Sequence, residues 1–276
     1  ALGILKKDEL TDEAFIKSAD YTERLADVMN DVRPETIAQA QELLNQLMDN
    51  VYSLETDSGK ADMITGKIVA NYQWSGDAVY AMEQADEDDF ELRFAVPKES
   101  TNLWFDGWVM LKNGIRGDAD RQHAAEAFVN FLSRTDNAVR NMYYIGYTSS
   151  IAGNAQDNTV YEYLKWCYGA DGEEEELMEY PVGYFFSGEN SDARYMLQSS
   201  VSQMGRQLYS QYPPQEVMER TAIMRYFDAD ANKAINQMWI NVRCFDIEEV
   251  PMGVWLALLA ALLFMVSMGF RKSRRR

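Results

Sequence analysis

Apolar residues recur at helical spacing through much of the first fifty positions. In the charged stretch from Lys6 to Asp31, Ala14-Phe-Ile and Leu25-Ala-Asp-Val-Met29 predict short helices. Pro34 suits the first helical residue, where a missing N–H costs nothing. Behind it Ile37, Ala40, Leu43, Leu44 and Leu47 form one apolar stripe, predicting a helix that packs one side on a sheet. The pattern then shifts towards strand character. Strands are predicted at Val51–Thr56, Lys67–Trp74 and Phe90–Val96, with Ser75-Gly76 as a turn and a helix from Asp77 through Ala85. The aromatic and β-branched run Asn102–Lys112 predicts a further strand, which places Trp104, Asp106 and Trp108 on one face and Phe105, Gly107 and Val109 on the other.

Helical spacing resumes beyond this run. Asp118-Ala-Asp120 caps a predicted helix with apolar positions Ala124, Ala127, Phe128, Phe131 and Leu132, and a second helix from Asp136 to Tyr144 ends at Gly146. Tyr161–Tyr168 reads as a helix, Tyr180–Phe186 as a short strand or aromatic loop, and Pro213–Glu216 as the opening of a helix or turn. Ala231–Val242 is amphipathic, with Ile235, Met238, Trp239 and Val242 on its apolar side. Gly253–Phe270 carries no charge and would span about 27 Å as a helix, so it is expected to cross a membrane. The basic run Arg271–Arg276 then predicts a cytoplasmic tail with the preceding domain outside.

Charge sharpens this picture. The 276 residues include 44 acids and 26 bases, a formal charge of −18, and five of the bases sit in the last six residues. Such a field disfavours nucleic acid and attracts organic cations. The single histidine, His123, and the two cysteines, Cys167 and Cys244, allow no Ser-His-Asp triad and no Cys/His metal set. His123 is expected to face solvent on a helix. The cysteines fit either one disulfide or two free thiols. No cofactor is expected.

Candidate chemistry concentrates in three aromatic and polar clusters: Asn71–Asp77, Asn102–Lys112 and Met142–Ser150. A carboxylate between indoles suits an organic cation, because the indole faces cover methylenes and the carboxylate holds an ammonium. Ser75-Gly76-Asp77 lacks the glycines and lysine of a phosphate loop. Asp77 suits the first turn of a helix, where it meets the dipole favourably, and can still serve a cleft as a second anion.

The order and spacing of these clusters resemble the second half of the bacterial spermidine/putrescine-binding proteins, the solute-binding components of polyamine ABC transporters. The resemblance runs from Leu2 to about Arg243. It rests on Trp74 before Ser75-Gly76, on Trp104 and Asp106 two apart, on Tyr147 in Ile145-Gly-Tyr, on Ala95–Glu99, and on the helix around Ala124–Leu132. It implies an α/β, periplasmic-binding-protein-like two-lobe fold of type II, present in part, with one C-terminal transmembrane helix added. Residues 1–104 would be the second lobe, lacking its N-terminal portion. Residues 105–153 would be the hinge strand and helices returning to the first lobe, 154–250 the helical end, 251–270 the membrane helix and 271–276 the tail.

A preceding lobe is implied, so the chain is expected to be part of a longer polypeptide carrying half of a site. The ligand residues implied are Trp74, Trp104, Asp106 and Tyr147, with Asp77 as a further candidate. Near Met224-Arg-Tyr226 the family offers an amide, whereas Arg225 would repel an ammonium. The expected function is extracytoplasmic polyamine binding without catalysis, with delivery to a permease and anchorage in the bilayer through 253–270. Other solutes of the same fold (a sugar, an amino acid, or ferric iron on Tyr143, Tyr144 and Tyr147) stay open. So do a carboxylate hydrolase using Asp77 and Asp106, and a structural or interaction domain.

Overall fold

A helix forms where a suitable first turn coincides with an apolar stripe, and Pro34 meets both conditions. In the computed structural model, which describes residues 1–154, 156–170, 172 and 176–244, Pro34 opens the helix Pro34–Met48. The chain divides into two compact units, the first made of residues 1–5, 30–54 and 225–276, described as far as 244. In it the helix Pro34–Met48 packs on the helix Ala229–Cys244, not on a sheet. Thr36 and Ala40 are buried on one side, Met238 and Val242 on the other. Full burial of an aliphatic or Met side chain contributes about 1.5–3 kcal/mol. Asn241 Nδ2 donates to Gln41 Oε1 at 3.0 Å along the same seam. Leu47 and Trp239, expected on the apolar faces, are exposed.

The second unit comprises residues 6–29 and 55–224. Its charged opening folds as short helices at the two predicted places, Glu13–Ile16 and Tyr21–Met29, and as a further one, Lys7–Leu10, that the spacing does not predict. These bury Leu10, Phe15 and Leu25 around Ala222. A second cluster gathers Ala78, Ala81, Met82 and Ala85 from the helix Ser75–Glu87 with Leu92. The largest cluster joins Met142 of the helix Thr135–Ile145, Val160, Tyr161 and Leu164 of the helix Thr159–Tyr168, and Tyr180, Leu197, Leu208 and Tyr212.

Strand content is lower than the pattern predicts. β1 (Thr101–Leu103) pairs in parallel with β4 (Thr221–Ile223), and β2 (Leu177–Pro181) pairs antiparallel with β3 (Met196–Ser200). Residues 51–56, 67–74 and 90–96 form no strand, and the run at 102–112 leaves its ladder after Leu103. A strand requires a partner for its N–H and C=O groups, and only the first residues of that run find one. The predicted face of Trp104, Asp106 and Trp108 is therefore not formed. The helix Ala119–Leu132 is present, with Asp118 accepting from the N–H groups of Asp120 and Arg121, yet none of its residues is buried. His123 is exposed on it, and both cysteines are free thiols.

The expected C-terminal membrane helix is corrected. Among the described residues no helix is long and apolar enough to cross a membrane. The longest, Ala229–Cys244, has 16 residues, about 24 Å against a hydrocarbon core of about 30 Å, and it carries Asp230, Lys233 and Arg243. Residues 253–270, to which the span was assigned, and the basic tail 271–276 lie outside the described residues. The membrane helix in the fold class, the bilayer as partner and the anchored localisation are accordingly set aside.

Candidate functional site

Two helix ends in the second unit position most of the candidate side chains. Trp74 precedes the first turn of the helix Ser75–Glu87, its carbonyl accepting from Ala78 N at 3.0 Å. Its indole is 45% exposed. Gly76 and Asp77 follow within that turn. The helix Thr135–Ile145 ends at Gly146, whose φ of +72° lies in the left-handed region that glycine adopts without a steric penalty. That reversal turns the chain so that the ring of Tyr147 lies directly against Gly76. A Cβ at residue 76 would stand 2.2 Å from the ring.

A short helix locks the two ends together. Ser210 Oγ donates to Ser75 O at 2.9 Å, and Gln211 Nε2 donates to Gly146 O at 2.7 Å. Thr148 Oγ1 donates to Gln211 O at 2.7 Å, and the Tyr168 hydroxyl to Gln211 Oε1 at 2.8 Å. Ser210 and Gln211 are buried, so these bonds satisfy groups that water does not reach. Neither residue carries a sequence signal for this role, since their partners lie 135 and 65 positions away.

Tyr147 is the centre of the group. Its ring meets Trp104 edge-on, with centroids 5.6 Å apart. Burial first, then the Asp77 carboxylate, and more weakly that of Asp106, push its phenol up to about 12. Asp77 is itself held by Lys60, whose Nζ lies 3.1 Å from Oδ1. Lys60, on the helix Gly59–Ile64, also stands 5.9 Å from the ring centroid of Tyr80. Asp106 is exposed, and among the described residues no cation pairs with it.

The structure thus brings Trp104, Tyr147 and Asp77 together with Asp106 in electrostatic reach. It does not join Trp74 to them by a ring contact. Trp108, expected to flank Asp106, turns to Phe128 with centroids 5.6 Å apart and is 67% exposed. Tyr143 and Tyr144 contact each other, and Tyr143 also meets Trp166, so the three tyrosines of the 143–147 run have different partners. Among the described residues no group of three or more His, Cys, Asp or Glu side chains is placed to hold a metal. A broad depression of about 700 Å³ lined by Ser133–Asp136, Ser150–Asn154 and Asp157 includes none of the candidate residues. It is an open loop surface, in which Asp157 is occupied by Thr135 and Thr159.

The raised phenol gives a pH dependence of known sign. A neutral Tyr147 is favoured in the folded state, so its contribution is fully present below the ordinary value of 10 and lost as pH rises from 10 to 12. Denaturant unfolding across that window should show stability falling with pH, and Tyr147→Phe should make the fall shallower. An identical slope in the variant would mean that Tyr147 is not so held.

Residues 12–165 match the family model described as bacterial extracellular solute-binding protein. The matched segment contains all five candidate residues. It corrects the resemblance drawn from the sequence in two ways. The matched family is described as bacterial extracellular solute-binding protein, a description that names no solute, and the match covers 12–165, not Leu2 to Arg243.

Proposed function

We propose, on the premise that the chain belongs to the bacterial extracellular solute-binding protein family, that its solute is an aliphatic polyamine of the putrescine or spermidine class, handed on to an ABC transporter permease. Solute binding without bond-making or bond-breaking follows from the family itself. The polyamine is supported chiefly by one arrangement: a carboxylate with no cationic partner among the described residues, Asp106, in electrostatic reach of the Trp104–Tyr147 pair. An ammonium supplies the missing cation through a charge-assisted hydrogen bond, and its methylenes lie against the half-buried indole. Trp74, exposed at its helix start, is available to the same chain of methylenes. The formal charge of −18 favours the encounter with a polycation.

A zwitterionic or anionic solute would want a cation here, and the adjacent one, Lys60, is taken by Asp77. That ion pair equally withdraws Asp77 from service as a free acid or base beside Asp106. The division into a second lobe (1–104), hinge and returning helices (105–153) and helical end (154–250) belongs to the same proposal. Replacing Trp104 by Ala should weaken putrescine and spermidine binding by about 1–3 kcal/mol through lost apolar contact and cation–π attraction. Equilibrium dialysis with labelled putrescine reads this directly. Unchanged affinity in a folded Trp104→Ala variant would remove the indole from the site.

A further inference from the structure

Two carboxylates act on the Tyr147 phenol, and they differ in exposure and in pairing. Asp106 is exposed and has no cationic partner among the described residues. Asp77 has only 14% of its side chain exposed and is met at 3.1 Å by Lys60, which is itself 28% exposed. The partner is built in by local structure. Ser58-Gly59 opens the helix Gly59–Ile64, and Gly59 sits so close to Asn71 that a Cβ there would be 2.6 Å from its Nδ2. This helix packs on the helix Ser75–Glu87 and carries Lys60 to the first turn in which Asp77 stands. The Tyr80 ring, 5.9 Å from Nζ, gives the ammonium a second favourable neighbour. A lysine side chain is four methylenes ending in an ammonium, which is one half of the chemistry of a short aliphatic diamine.

From this juxtaposition we infer that Lys60 is a specificity-determining residue: a resident ammonium that occupies Asp77 and leaves this wall a single free anion, Asp106. The inference rests on the polyamine reading of the same site. With Lys60 in place, Asp77, Lys60 and Asp106 together carry one net negative charge. The wall then receives one ammonium of a ligand, and a second ammonium gains nothing at Asp77. Without the Lys60 charge the wall carries two anions within electrostatic reach of Tyr147, and a diamine is then favoured over a monoamine of the same length.

The test compares putrescine with n-butylamine by calorimetric titration of the whole protein and of three variants. Lys60→Met keeps the stem and removes the charge. It should raise the preference for putrescine over n-butylamine at least about tenfold. Lys60→Arg retains the charge and should leave the preference within about twofold of the parent, and adding Asp77→Asn to Lys60→Met should abolish the gain. Lys60 is partly exposed, so folding of the Met variant is expected, and its melting temperature is measured alongside. If both amines bind the parent protein and Lys60→Met leaves their ratio unchanged, the role of Lys60 is overturned while the polyamine site stands. If neither amine binds the parent, the polyamine reading fails and the inference with it.

Discussion

Asp106→Asn is expected to weaken spermidine and putrescine binding by about 2–5 kcal/mol, with the circular dichroism spectrum and melting temperature unchanged. The magnitude separates two situations. A carboxylate that stays in water contributes about 0–1 kcal/mol to an ion pair, whereas one that loses water around a bound ammonium contributes several times more. Asp106 is exposed, so its removal should leave folding untouched. The larger loss requires that ligand, Trp104 and Tyr147 enclose the carboxylate together. Asn keeps the size and one acceptor oxygen, so the loss reads the charge together with the second acceptor, which becomes an N–H donor. A loss below about 1 kcal/mol would reduce Asp106 to one of many surface acids.

Gly76→Ala has the second large expected effect, and here two terms oppose. Alanine in a helix is favoured over glycine by about 1 kcal/mol. The added methyl would lie 2.2 Å from the Tyr147 ring, against Cδ2, Cγ and Cε2 of a rigid ring that does not swing aside as a flexible tip would. Overpacking of this kind costs about 1–3 kcal/mol. The overlap should win: a lowered melting temperature, loss of near-ultraviolet ellipticity from the Trp104–Tyr147 pair, and weaker ligand binding. A higher melting temperature with unchanged binding would mean that Tyr147 does not rest on this turn.

Much of the helical part of this fold is legible because its signals are local. Asp118 accepts from two N–H groups two and three residues on, and Gly146 reverses the chain where the helix pattern stops. Tyr147 directly after that reversal is likewise readable as a residue leaving a helix. The strand at 102–112 misleads because alternation measures a capacity to be buried on one face, while a ladder depends on a partner elsewhere in the chain. Only Thr101–Leu103 finds β4; Phe105, Trp108, Val109 and Leu111 stay exposed. The same holds for Phe128 and Phe131, apolar at helical spacing yet each 52% exposed.

Ion pairing was the least legible feature. Asp86 lies just beyond the stretch Asp77–Ala85 predicted as helix, but the helix extends through it and Arg206, 120 positions away, grips its carboxylate. Lys60 and Asp77 are 17 positions apart, with no motif linking them. That pair changes the reading of the site most, since it converts one of two candidate anions into a satisfied one.

Calorimetric titration of the whole protein with spermidine, with putrescine, and with a neutral sugar and a zwitterionic amino acid as comparison solutes tests the polyamine assignment most directly. Saturable binding of the polyamines is expected, weakening as salt is raised and weakened by about 2–5 kcal/mol in Asp106→Asn, with no saturable heat from the comparison solutes. Saturable binding of the sugar or the amino acid, with none of either polyamine, would contradict it.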